Sequence, residues 1–278
     1  MFYLKNRLRY ALVLGVTIFS FSSLWANEGY KRFGIMSALD SEMRLLLSHA
    51  AVHEKISIGN IDYYVASLES KDVVLVAAGG YGILPSASTS ILIHEFKVDA
   101  LIFTGVAGGV AEDTKVMDIV VSKNLIIHDC GIQTNESFVW KPDCGVNVDG
   151  SIPTDEKLRE AAIEAARHVV GDENVFEGTI ASGEAFIASE NYLHFLREEF
   201  DAYAVESEGG PVARVAYEFD VPVVVIRTLS DLADGNARQS FTQFVNKAAD
   251  NSASVVMEIL RKFRSHEQTN LSSETSPQ

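Results

Sequence analysis

Basic residues are in short supply. Twenty-three Lys and Arg stand against 38 Asp and Glu in 278 residues, a formal net charge of −15. So acidic a chain repels phosphate backbones and anionic lipid at long range, and with no local basic cluster this argues against nucleic-acid binding and polybasic membrane attachment. Proline is scarce as well, six against 19 glycines, and no period recurs, which excludes fibrous and low-complexity architectures. Neither glycine cluster has the G-x-G-x-x-G spacing or the lysine of a phosphate-binding loop. Two cysteines and a nearby His128 are too few soft ligands for a structural metal. The expectation is therefore no metal and no cofactor.

What is present is enough for a folded core: 47% of residues are apolar and 9% aromatic, while 22% charged is ordinary for a globular chain. The first 26 residues, MFYLKNRLRYALVLGVTIFSFSSLWA, are a different matter. Lys5, Arg7 and Arg9 precede an apolar run over 10–21 that falls short of the roughly 20 residues of a membrane span, and small or polar residues lead to Ala26. This reads as a secretory signal peptide cut near Ala26; the alternative is an uncleaved anchor. Cleavage leaves 20 basic against 38 acidic residues, a net −18, and predicts an exported protein, periplasmic or secreted, with no stable membrane insertion. In an oxidising compartment Cys130 and Cys144 can pair, or remain two free thiols.

From residue 32 the chain alternates β-branched runs with helical periodicity, the pattern of a sheet covered by helices. Strands are expected at 32–38, 63–69, 73–79, 100–106, 118–127, 175–182 and 221–230, and helices at 41–50, 83–96, 154–170, 191–200 and 210–219. Several strands are apolar at consecutive positions, as strands buried on both faces are. A last helix is expected from Ser240, with Gln243 completing a capping box, to about residue 264, followed by a polar, disordered tail over 265–278. The expected fold is one α/β domain over 32–264, a central mixed and mostly buried sheet flanked by helices.

Ligands of open α/β sheets bind beyond the carboxyl ends of strands. Polar residues stand there after several runs: Glu42, the cluster at 79–82, Ala107 with Gly108, the segment around Phe186, the stretch Val205, Glu206, Ser207 and Glu208, and Arg227 with Asp231. Singly, each has a plain reading. Glu42 suits a helix dipole, Glu206 and Glu208 a solvated pair, and the glycines simple turns. Asp231 is harder to dismiss, because a carboxyl following VVVIRTLS is costly to keep charged and burial would make it a proton donor near neutral pH.

Taken together and in order, GIMSALDSEMRLL, FTGVAGGV, IVVSKNLIIHD, SGEAFI, AVESEGGPVARVA and VVVIRTLSDLAD resemble the nucleoside phosphorylase/hydrolase superfamily, most closely its 5′-methylthioadenosine/S-adenosylhomocysteine nucleosidase branch. The resemblance runs from about residue 32 to 264 and implies hydrolysis of the N-glycosidic bond of a small adenine nucleoside. By that resemblance Glu42 activates water, Asp231 protonates N7 of the departing base, and Glu208 binds the ribose hydroxyls with Arg227 close by. Phe186 and Ile187 face the purine, Ala107 and Gly108 approach through backbone, and Phe241 covers the base or the 5′ substituent. It also implies a homodimer in which a neighbour's loop within 128–145 completes the pocket. The chain departs from the pattern at Val106, where a serine is usual, at Ser207, where methionine is usual, and in reading GGYG for GIGK. These changes lie in the ribose shell and bear on substrate identity. Two other readings remain: a phosphorylase of the same fold, for which Arg44 and Arg227 are the only arginines near candidate loops, and an exported nucleoside-binding or storage protein without turnover.

Overall fold

The computed structural model describes residues 29–274, with side chains through Phe263, so the signal-peptide segment lies outside the described residues. Twelve strands and six helices follow in chain order: β1 (Arg32–Ser37), α1 (Asp40–His49), β2 (Ala51–Ile58), β3 (Ile61–Leu68), β4 (Lys71–Ala77), α2 (Ile83–His94), β5 (Ala100–Gly109), β6 (Ile119–Ile127), β7 (Gly131–Gln133), β8 (Phe138–Trp140), β9 (Ile152–Pro153), α3 (Glu156–Val170), β10 (Val175–Ser182), α4 (Glu190–Phe200), β11 (Ala202–Glu206), α5 (Gly209–Glu218), β12 (Val223–Asp231) and α6 (Ala237–Glu274). No helix among the described residues is long and apolar enough to cross a membrane.

The consecutive apolar residues of β1, β5 and β12 send alternate side chains to opposite faces, and both faces are covered. Phe33, Ile35, Ile102, Val224 and Ile226 pack under α1, α3 and α6, while Met36, Leu101, Phe103, Val223 and Val225 pack under α2 and α5. The sheet runs β11-β10-β6-β12-β5-β1-β4-β3-β2 and mixes parallel with antiparallel pairs. Its first five strands close on themselves, because β11 pairs not only with β10 but also, antiparallel, with β5 through Ala204 to Gly109 and Val205 to Gly108. That closure brings the residues following β11 beside the glycines of β5.

The differences from the sequence reading have physical causes. β2 (AVHEKISI) has no buried stripe; its residues are mostly exposed and it exists by pairing with β3. β7, β8, β9 and β11 are too short to carry a periodic signal. α6 starts at Ala237 rather than Ser240, since the Asp234 side chain takes the Asn236 N–H at 2.8 Å and the Asn236 carbonyl takes the amides of Gln239 and Ser240, so the Ser240–Gln243 capping box does not form. It also runs on to Glu274, correcting the expected tail at 265–274: no Gly or Pro interrupts it there, and an established helix propagates through tolerant sequence. Cys130 and Cys144 are disulfide-bonded, closing the stretch that holds the β7–β8 hairpin.

One packing constraint is testable. A Cβ on Gly178 of β10 would lie 2.2 Å from Cδ2 and 2.6 Å from Cγ of Tyr203. Gly178→Ala should cost about 1–3 kcal/mol through overpacking, read as a lowered denaturant midpoint.

Candidate active site

A cavity of about 250 Å³ opens at the carboxyl ends of β1, β5, β11 and β12. Of the residues singled out from sequence, Glu42, Ala107, Gly108, Phe186, Ile187, Val205, Glu206, Ser207, Glu208, Asp231 and Phe241 line it. Arg227 does not; it lies buried behind the wall.

Glu42 stands in the first turn of α1 and bends back over it. Its Oε2 accepts the amides of Leu39 at 2.7 Å and Ala38 at 2.9 Å, and its Oε1 accepts the Val106 amide at 2.9 Å. Leu39 has no polar side chain, so only the glutamate half of a capping box exists here. Burial raises the Glu42 carboxyl above its ordinary range, opposed by Arg227 and those three amides. The result is a fixed carboxylate of more than usual basicity. Glycine at 105 makes room for it: a Cβ there would lie 2.6 Å from Glu42 Oε1 and 2.7 Å from an Arg227 terminal nitrogen.

Asp231 ends β12, just past an irregularity in its pairing with β5 between Leu229 and Asp231, and such irregularities re-aim a side chain. Its Oδ1 accepts the Ala233 amide at 2.9 Å, and its Oδ2 lies 2.9 Å from the Ser230 hydroxyl. Burial outweighs both and pushes this carboxyl up, toward the protonated form. Gly108 permits the approach, because a Cβ there would fall 2.8 Å from Oδ1.

Behind the cavity Arg227, 1% exposed, stacks 4.3 Å above the Phe103 ring and reaches Glu206 at 2.6 Å and Glu208 at 3.6 Å. Glu206 is saturated. It also accepts the Ser182 hydroxyl and the amides of Glu208 at 3.0 Å and Gly209 at 2.8 Å, which caps α5. Burial raises its carboxyl, but Arg227 and these donors hold it below the usual range. Glu206 is thus a structural anchor at the cavity wall. Glu208, with the Tyr81 amide at 2.9 Å, is pushed up to about 8 by burial and by the neighbouring Glu206 charge. Among the described residues no Lys or Arg lines the cavity.

Known proteins place this arrangement. The phosphorylase superfamily matches over residues 32–261. The chain belongs to that superfamily. Among curated proteins it is 34% identical over 233 residues to the 5′-methylthioadenosine/S-adenosylhomocysteine nucleosidase of Bacillus licheniformis, covering 84% of this chain and 99% of that one. Solved superfamily structures agree. The Neisseria meningitidis 5′-methylthioadenosine/S-adenosylhomocysteine nucleosidase, bound to methylthio-immucillin-A, superposes at a TM-score of 0.76 with 32% identity over 84% of this chain and 99% of that chain. Futalosine hydrolase of Helicobacter pylori superposes at 0.74 with 31% identity over 84% and 98%.

Two cavity residues of this superfamily member escaped the sequence reading: Ala38 and Leu39 line the cavity with no chemical signature of their own, whereas Gly80, Tyr81, Ala185 and Ser230 belong to the segments singled out after the strands and line it too. Glu184, inside SGEAFI, was legible in principle: its carboxylate takes the Gly82 amide at 2.9 Å and its own amide binds Asp129 at 2.7 Å, tying the Phe186 loop to the mouth of α2.

The raised Glu208 has a sign that can be checked. Between about pH 4.5 and 8 the unfolded chain ionises this carboxyl while the folded chain keeps its proton, so this group's contribution to stability falls as pH rises across that window. Glu208→Gln should gain stability relative to the parent from pH 5 to 8, with a flat difference below the window, in denaturant titrations at each pH.

Proposed function

We propose that this chain hydrolyses the N-glycosidic bond of adenine nucleosides of the 5′-methylthioadenosine and S-adenosylhomocysteine class, releasing adenine and the ribose part. The observation that carries the reading is the pair of buried carboxyls, Glu42 and Asp231, on one cavity: burial raises both, but Glu42 accepts three backbone amides and faces Arg227, whereas Asp231 has one amide and one hydroxyl and no cation. Breaking the bond leaves positive charge on the sugar and negative charge on the base. Asp231 gives its proton to N7 as the electrons of the C1′–N9 bond move onto the purine. Water, losing a proton to Glu42, supplies the oxygen that bonds C1′. Exchange with solvent then restores both carboxyls. Glu208 faces the ribose hydroxyls, and Phe186 and Phe241, edge to face at 5.9 Å, border the purine side.

Phosphorolysis would need cationic side chains to hold phosphate. Arg227 is committed to Glu206, and Arg44 is paired outward with Asp250. Hydrolysis is the reaction these residues favour. The same reading includes export by the N-terminal leader and a homodimer in which the segment 128–145 completes a neighbour's pocket. The exposed Ile132, Phe138 and Val139 of the β7–β8 hairpin support the latter.

Two measurements test the function. Adenine should appear from methylthioadenosine at the same rate with and without phosphate, and Asp231→Asn should lose about 10²- to 10⁴-fold in kcat with unchanged circular dichroism; near-native adenine release by that variant would refute the acid assignment. Cys130 adjoins Asp129, which holds the Glu184 amide. Reducing the disulfide should therefore alter KM more than thermal stability, and an unchanged KM after verified reduction would remove that link.

A further inference from the structure

Tyr81 holds its backbone at φ +67°, a left-handed conformation that aromatic residues adopt rarely and at a cost. The short segment at 79–82 meets the same demand once with a glycine, Gly79 at φ +92°. At 81 it uses tyrosine, where the nucleosidase pattern GIGK would place glycine. Two carboxyl groups enforce the geometry. The Tyr81 amide is held by Glu208 and the next amide, of Gly82, by Glu184, so the strained peptide cannot relax by rotation without abandoning both bonds. Gly82 itself is hemmed in, with Pro211 Cγ at 2.7 Å from a Cβ built there. The Tyr81 side chain, by contrast, lines the cavity and is 55% exposed, so it contributes little to the core. Strain kept at such a position, for a ring that packs against little, marks a functional contact.

We propose that Tyr81 is a specificity residue, its ring forming the wall against which the 5′ substituent of the nucleoside packs. This rests on the nucleosidase reading, in which Glu208 holds the ribose hydroxyls. The Tyr81 amide is bonded to Glu208, which puts this cavity-lining residue beside the group assigned to the sugar. An apolar thioether substituent gains by covering a half-exposed ring; a 5′-hydroxyl gains less.

The test compares native protein, Tyr81→Gly and Tyr81→Phe with 5′-methylthioadenosine and adenosine, alongside thermal unfolding. Tyr81→Gly should lower the methylthioadenosine-to-adenosine ratio of kcat/KM about tenfold, carried by KM, the scale on which one small apolar group is discriminated. Its Tm should be unchanged or higher, because the strain is relieved. Tyr81→Phe should keep the ratio within about twofold. An unaltered ratio in an active Tyr81→Gly protein overturns the role of Tyr81 alone, and a clearly lowered Tm overturns the strain argument by making the ring structural. If native protein released adenine from neither nucleoside, the nucleosidase reading would fall and this inference with it.

Discussion

One guanidinium with too many acids around it organises this molecule. Arg227 is buried and faces Glu42, Glu206 and Glu208, all three of which act on it electrostatically. Three ionised carboxylates around one cation in a dry site would leave uncompensated charge that burial cannot tolerate. The site resolves this by dividing labour. Glu206 takes the direct ion pair and a full set of donors, Glu42 takes three backbone amides, and Glu208, left with a single amide and a longer approach to Arg227, keeps its proton to about pH 8. Asp231, outside this group, is raised chiefly by burial, against the Ala233 amide and the Ser230 hydroxyl.

The fold makes such crowding possible by closing five strands into a ring. Arg227 lies on β12 opposite Gly105 of β5, and Gly108 of β5 pairs with Val205 of β11. Residues from distant parts of the chain thereby share a few ångströms of wall. β5 supplies the space, since a side chain at 105 would displace Glu42 and one at 108 would displace Asp231. The glycines of FTGVAGGV are thus not a phosphate cradle; they are places where two carboxyls cross close to the backbone.

Much of this was legible in the sequence because the signals were strong. The doubly buried strands announced themselves as unbroken apolar runs, and Asp231 stood out because it ended one. Glu42 was ambiguous, and the ambiguity was genuine: the side chain does serve the first turn of α1, and the same bonds that cap the helix fix it at the cavity. The alternation of Glu206 with Glu208 suited a solvated pair; both are buried at the cavity, and no spacing could reveal that Glu206 is also held by Arg227, Ser182 and the start of α5. β2 was invisible because an edge strand held by pairing needs no apolar face. The start of α6 was misplaced because two sequences competed to cap it, and the earlier turn at 234–236 won.

Tyr81 was the least legible residue, and the reason is instructive. Composition and periodicity report on burial, whereas a half-exposed ring at a cavity mouth buries little and leaves no trace in either. The only trace was local: a large residue within a glycine segment, where backbone freedom is ordinarily needed. Strain of this kind survives where something over-determines it. Here Glu208, which on the proposed function faces the sugar, also holds the Tyr81 amide, so under that proposal one group fixes both the ribose end and the residue beside it. Under that proposal, recognition of the sugar and selection beyond it are coupled through one carboxyl, whose charge in turn is set by its burial and by Glu206 and Arg227 behind the wall.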